Sequence, residues 1–274
     1  MRLPKTHRLF CLCSTSALLL LNTGCAEPPE EDTIDTNDDD GDGLNNSEEE
    51  DIGTDPDVPD SDGDGYIDGD EVHAGTDPTN AEDTIYQGGW PYNPNKDEII
   101  DPGWDTESEI GSVLPHYTAV DQFGDDVDLY DFAGHGIPIV IDMGTIWCEP
   151  CKGMAAYLSD GDTEHVEEYA WWKSDYEGLY ELVQTGELFW ITVLFSTSES
   201  SGPATQEDCE GWENDYPNEM IPVLADTDLL LYNWIGVESY PVLNMLDDTM
   251  TLTVYSSGGP YEVLAELGTM LNEE

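Results

Sequence analysis

A 22-residue repeat of aspartate and glycine places the tightest limit on how this chain can fold. Asp38-Asp39-Asp40-Gly41-Asp42-Gly43-Leu44 recurs as Asp60-Ser61-Asp62-Gly63-Asp64-Gly65-Tyr66. The two copies close alike, in Gly53-Thr54-Asp55-Pro56 and Gly75-Thr76-Asp77-Pro78. From Glu27 to about Asp83 the chain is acidic and poor in large apolar residues, so it builds no core by itself. Crowded carboxylates keep such a segment extended unless a cation neutralises them.

The spacing inside each copy names that cation. Oxygen-bearing side chains fall at positions 1, 3, 5, 9 and 12, with glycine at position 6, which is the pattern of a calcium loop. In the first copy these are Asp38, Asp40, Asp42, Asn46 and Glu49, with Gly43 at the turn. In the second they are Asp60, Asp62, Asp64, Asp68 and Glu71, with Gly65. The backbone carbonyls of Leu44 and Tyr66 supply the position-7 ligands. Calcium takes about six to eight hard oxygens, and alternate side chains of a tight loop converge on one point. With the trailing Gly-Thr-Asp-Pro, the segment from Asp35 to Pro78 resembles thrombospondin type 3 repeats, which implies structural calcium and a stiffened spacer. The alternative is a solvated acidic linker.

The first 25 residues stand apart. Arg2, Lys5 and Arg8 precede an apolar stretch from Leu9 to Leu21, followed by Asn22-Thr23-Gly24-Cys25. That is a secretory signal, too short to span a membrane. Its end resembles a bacterial lipobox, with Asn22 where Leu or Val is usual, and the resemblance makes Cys25 the lipidated residue of an envelope protein. Membrane contact is then through a lipid anchor only. Ala26 carries no inner-membrane retention signal of the aspartate kind, which favours the outer membrane or the periplasmic face.

Charge narrows the partners. The chain has 62 acidic and 6 basic residues, and only Lys96, Lys152 and Lys173 lie beyond the signal. Such a surface repels nucleic acid and anionic head groups, and it tolerates salt because screening shortens the repulsion. Beyond Cys25 only Cys148, Cys151 and Cys209 remain, too few for a disulfide scaffold.

From Gly111 the texture changes. Tyr117 to Leu129 predicts a hairpin turning at Gly124-Asp125. Ile137 to Ile141 and Leu188 to Phe195 are continuous apolar runs, expected of strands buried on both faces. Tyr176, Leu179, Tyr180 and Val183 recur at helical spacing. Val242 to Leu246 and Leu252 to Tyr255 predict two short strands, before a helix with Val263, Leu267, Met270 and Leu271 on one face. The order predicts an α/β sandwich. The expected divisions are signal 1–24, acidic tether 25–37, calcium loops 38–83, linker 84–111 and α/β domain 112–274. Glycines, prolines, Trp90 and Trp104 mark the linker as an irregular strap on a neighbouring domain.

Directly after the first buried strand stands Trp147-Cys148-Glu149-Pro150-Cys151-Lys152. Asp142 lies six residues before the first cysteine, and Tyr240-Pro241 precedes a later strand. Together with the order of elements, these residues resemble the thioredoxin superfamily, and Glu-Pro between the cysteines resembles its cytochrome c maturation reductases. The resemblance implies a thioredoxin-like fold, a central mixed sheet flanked by helices, and thiol-disulfide exchange with protein dithiol or disulfide substrates and a redox partner protein. It makes Cys148 the nucleophile at a helix N-terminus, Cys151 the resolving thiol, Asp142 a buried proton relay and Pro241 a cis-proline beside the substrate. No organic cofactor is implied, and electron flow in either direction satisfies the motif.

Three other readings compete with this one. Thr145-Ile146-Trp147-Cys148 fits a peroxidatic threonine-x-x-cysteine, yet no arginine follows Arg8 to stabilise the attacking thiolate. Zinc needs a second ligand pair, and His73, His116, His135 and His165 are scattered. A catalytically silent, calcium-binding surface adaptor is the third. Cys209 reads as a free thiol or a third redox cysteine, Lys152 as a solvated helix residue or a thiolate partner, and Trp171-Trp172 as packing or a docking patch.

Overall fold

The computed structural model describes residues 36–196 and 202–273. The signal segment and Cys25 lie outside the described residues. Each repeat loop runs into a short helix, α1 (Asn46–Ile52) after the first and α2 (Asp68–Ala74) after the second. Gly53 and Gly75 end these helices in the left-handed conformation that glycine adopts without strain. Asn45 caps α1 in a reciprocal box with Glu48.

The hairpin forms as its turn residues require. β1 (Thr118–Val120) pairs antiparallel with β2 (Asp126–Asp128), Ala119 opposite Val127, around Gly124 at φ 99°. Buried Asp121 shapes the turn. Its Oδ1 accepts the N–H groups of Phe123, Gly124 and Asp125, and its Oδ2 accepts the Trp90 indole N–H at 2.8 Å. Asp121→Ala removes the side-chain acceptor of all four donors and leaves Gly124 only its 3.3 Å bond to the residue-121 carbonyl, so it is expected to lower unfolding free energy by about 3 kcal/mol. Urea unfolding at constant calcium checks this, and a loss below about 1 kcal/mol would show that water replaces the carboxylate.

β3 (Ile139–Gly144) is buried throughout, as its apolar run predicts. α3 (Glu149–Asp160) and α4 (Leu179–Gln184) lead to β4 (Phe189–Leu194), parallel to β3. α5 (Gln206–Asp215), β5 (Val223–Ala225) and α6 (Leu230–Ile235) follow, with β5 parallel to β4. β6 (Val242–Leu246) and β7 (Leu252–Val254) add antiparallel, and α7 (Tyr261–Glu273) ends the described chain. The seven strands form one sheet in the order β2-β1-β5-β4-β3-β6-β7.

Side chains alternate across a strand. Ile139, Ile141 and Met143 therefore face one core layer, with Leu231 and Ile235 of α6. Val140 faces the other, where it meets Met154, Tyr157 and Leu158 of α3, Leu179 and Val183 of α4, and Val263, Leu264 and Leu267 of α7. Trp171 and Trp172 pack in this second layer against Tyr169 and Tyr157.

The strap binds to the first layer. Tyr86, Trp90 and Tyr92 are buried there with Val127, Leu129 and Phe132. Buried Asp131 accepts the Asn93 N–H at 3.0 Å, the Lys96 ammonium at 2.7 Å and the Tyr86 hydroxyl. A buried carboxylate is tolerated because it is paired and hydrogen-bonded. Tyr66 of the second repeat loop joins the same core, donating its hydroxyl to the Trp90 carbonyl at 2.8 Å. The second loop, the strap and the sheet thus share one apolar interior. No helix among the described residues is long and apolar enough to cross a membrane.

Candidate functional site

The two cysteines sit where β3 gives way to α3. Cys148 is the N-cap of α3, and its Sγ accepts the backbone N–H of Cys151 at 3.1 Å. Pro150 falls in the first turn, where its missing N–H costs nothing. The pair is joined as a disulfide, with Cα atoms 5.2 Å apart. Cys148 and Cys151 are 3% and 2% exposed, so burial does not separate their roles. The helix N-terminus does, because its N–H groups and dipole favour negative charge on the N-cap sulfur.

Asp142 lies on the α3 face of β3, two residues before Gly144. A Cβ on Gly144 would touch the Cys151 Sγ at 3.6 Å, so this face of the strand runs beneath the second cysteine. Asp142 is buried, and its Oδ1 has no hydrogen-bond partner of regular geometry. Burial pushes its carboxyl up to about 7, and the Trp190 indole beside it pulls weakly the other way. Trp190 stands opposite Val140 on β4 and closes the site from below, which the sequence did not show.

This raised pKa has a stability consequence. Below the unfolded value near 3.8 both states hold the proton and the site costs nothing. As pH rises the unfolded chain ionises first, so stability is lost progressively until pH passes about 7. Asp142→Asn is therefore expected to stabilise the fold at pH 8 by at most about 4 kcal/mol, with a gain that shrinks toward pH 5. Urea unfolding at both pH values tests this; a pH-independent difference would mean that Asp142 does not titrate in this window.

The Tyr240–Pro241 bond is cis. Pro241 is buried and precedes Val242, which pairs with Met143, so it arrives beside Gly144 and the dithiol. Tyr240 is 36% exposed and meets the Trp147 ring edge-on at 5.0 Å, framing the approach to Cys148. The structure thus gathers Cys148, Cys151, Asp142 and Pro241 at one end of the sheet.

Other expected residues lie in plainer settings. Lys152 pairs with Glu149 at 2.7 Å. Cys209 on α5 is a buried free thiol in the apolar cluster that holds Cys148 and Cys151, and burial raises its pKa. His116 bonds Asp128, His135 the Asp131 carbonyl and His165 Asp160. No histidine or cysteine enters a metal-sized cluster among the described residues.

The acidic loops form such clusters. Oxygens of Asp38, Asp40 and Asp42 lie within 4.8 Å of one another, as do those of Asp60, Asp62 and Asp64. One buried oxygen each of Asp40, Asp62, Asp64 and Glu71, and both of Glu49, has no hydrogen-bond partner. Burial pushes Glu49 and Glu71 up to about 7, with neighbouring aspartates adding to the rise. Unpartnered, mutually repelling carboxylates converging on one point are the donor set of a hard divalent cation, so these residues fit calcium. The position-9 side chains behave differently from the rest. Asn46 exchanges hydrogen bonds with Asp39, and Asp68 accepts from the N–H and hydroxyl of Ser61.

The comparisons with known proteins divide along the same lines. Residues 38–57 and 60–81 match the bacterial TSP3 repeat family. No curated protein matches the chain. Among solved structures, a thiol:disulfide interchange protein from Bacteroides sp. is 17% identical over 60% of this chain and 91% of its own, with a TM-score of 0.41. The thioredoxin domain of a Bacteroides vulgatus thiol-disulfide oxidoreductase is 16% identical over 61% and 98%, with a TM-score of 0.39. A secreted Mycobacterium tuberculosis disulfide oxidoreductase homologous to E. coli DsbE is 16% identical over 58% and 96%, with a TM-score of 0.38.

In this chain the parallel β3-α3-β4 unit, the antiparallel β6-β7 pair with α7 and the dithiol capping α3 define a thioredoxin-like α/β fold. What precedes the fold is a pair of bacterial TSP3 repeats.

Proposed function

We propose that the chain is an exported, lipid-anchored thiol-disulfide oxidoreductase carrying structural calcium in its two repeats. The observation that carries this reading is Cys148 at the N-cap of α3, within disulfide reach of Cys151, on the face of β3 that buries Asp142. In the reducing direction, the Cys148 thiolate attacks one sulfur of a substrate disulfide. A new S–S bond joins enzyme and substrate, and the leaving sulfur takes a proton. Asp142 accepts the proton of Cys151, whose thiolate then attacks the Cys148 sulfur. The second substrate sulfur leaves with the proton that Asp142 accepted, so the substrate departs as a dithiol and the enzyme holds the disulfide. Run backward, the same steps oxidise a substrate dithiol, so the direction is set by the redox partner.

Calcium supplies charge neutralisation to the loops when bound. Asp38, Asp40, Asp42, the Leu44 carbonyl, Asn46 and Glu49 are proposed for the first ion. Asp60, Asp62, Asp64, the Tyr66 carbonyl, Asp68 and Glu71 are proposed for the second. Cys25 is proposed as the lipid site from the signal that precedes it.

The test is a mixture of pre-reduced chain with glutathione disulfide or insulin, beside hydrogen peroxide. Oxidation of the Cys148–Cys151 pair by either disulfide, with peroxide consumption no faster than in Cys148→Ala, supports the proposal. Inertness toward both disulfides would leave a calcium-binding adaptor, and rapid peroxide turnover a peroxidase.

A further inference from the structure

Asp42, Glu49 and Asp68 each bring one carboxylate oxygen to a common point, all within 4.8 Å of one another. They are 5%, 0% and 0% exposed. Both oxygens of Glu49 are buried without a hydrogen-bond partner, and no lysine ammonium among the described residues pairs with any of the three. Buried like charges at this range repel strongly in a low-dielectric setting, so the arrangement calls for a cation between them. Asp42 and Glu49 belong to the first loop and Asp68 to the second.

The loops are fitted to make this meeting. The Gly69 N–H donates to the Asp42 Oδ2 at 2.9 Å. A Cβ at position 69 would stand 2.2 Å from the Asp42 carbonyl oxygen, so only glycine permits the approach. Ser61 orients Asp68 by holding both its oxygens, at 2.9 and 2.7 Å, and each oxygen keeps a lone pair free. The Ser61 hydroxyl also accepts the Asp55 N–H at 2.9 Å, tying the end of the first copy to the start of the second.

We propose that Asp42, Glu49 and Asp68 form a divalent-cation site shared between the loops, so that the first loop completes its ion only when the second is folded against it. The proposal rests on the calcium reading of the repeats and changes its logic. Asp68 serves the first loop's ion, and Asp60, Asp62, Asp64 and Glu71 hold the second without it. Calcium uptake is then cooperative, because occupation of either loop favours the contact at Gly69.

Calorimetric titration of the whole mature chain with calcium alone, after chelator removal, tests this. Glu49→Gln and Asp68→Asn are each expected to lose the same ion, weakening its uptake on the order of tenfold or more. The double variant is expected to keep the second-loop ion, as each single variant does. If each single variant keeps one ion and the double variant keeps none, the two residues serve different ions and the shared site is wrong. Gly69→Ala leaves every carboxylate in place yet wedges the loops apart, and it is expected to abolish cooperativity; wild-type cooperativity in a folded Gly69→Ala chain would also overturn the proposal. No calcium uptake by the wild-type chain would instead sink the calcium reading itself.

Discussion

Replacing Cys151 with alanine is expected to leave Cys148 joined covalently to its substrates, whereas replacing Cys148 abolishes exchange altogether. The asymmetry does not come from exposure, which is nearly equal for the two sulfurs. It comes from the N-cap position, where the Cys148 sulfur already accepts the Cys151 N–H and faces the positive end of α3. A thiolate favoured there attacks first. Cys151 stands one turn into the helix, over Gly144 and on the Asp142 face, placed to lose its proton inward and displace the substrate. Without it the mixed disulfide has no internal route to resolution. Non-reducing electrophoresis and mass spectrometry of envelope proteins from cells carrying each variant make the comparison. Adducts on Cys151 in the Cys148→Ala chain, equal in amount to those on Cys148 in the other, would reverse the assignment.

Exchange is also expected to lose its pH dependence near 7 when Asp142 becomes asparagine, because burial holds that carboxyl at about 7. The same variant is expected to be the more stable one at pH 8, so slower exchange with a firmer fold is the joint signature of a relay kept at a cost to stability.

The parts of the fold legible in the sequence are those whose signal is local. β3 and β4 are largely apolar runs, interrupted only by Asp142 and Gly144 in the first and Thr192 in the second, the hairpin turns at Gly124, and Cys148-Glu149-Pro150-Cys151 marks the start of α3. α5 has no apolar stripe to announce it, because Gln206 to Asp215 buries only Cys209 and Trp212 on a strongly acidic helix. α6 begins after Leu229, a non-glycine residue at φ 56°, with no side-chain cap to announce it. β5 has three residues and is held by its place between β1 and β4. At the site, Asp142 and Pro241 come into view through the thioredoxin resemblance, while Trp190 is placed there by strand register alone. The strap was readable as glycine, proline and tryptophan. Its anchors, Asp121 and Asp131, were not, because nothing local separates them from the other acidic residues of the chain. The approach of Asp68 to Glu49 is likewise non-local, and the repeat pattern assigns each loop its own ligands.

Removing calcium is expected to lower the melting temperature of the entire described unit, and not merely to loosen its N-terminal end. A ligand at about one hundred times its dissociation constant stabilises a fold by about 2.7 kcal/mol. For a chain of this size each kcal/mol moves the midpoint by about 2–4 °C, so one ion is worth about 5–10 °C. The effect reaches the sheet because Tyr66, at position 7 of the second loop, is buried with Tyr86, Trp90 and Tyr92 against Val127 and Phe132. Its hydroxyl holds the Trp90 carbonyl, and the Trp90 indole holds Asp121 under the β1–β2 turn. Calcium bound in the loop would therefore fix the strap, and the strap covers one face of the sheet. Calorimetry of the mature chain, with calcium and with excess chelator at equal ionic strength, should show one transition displaced as a whole. Magnesium should restore less of it, because it demands a smaller and more regular oxygen shell than these loops offer. Two transitions in the chelated chain, the upper one unmoved, would mean that the loops unfold alone and that Tyr66 does not link them to the core.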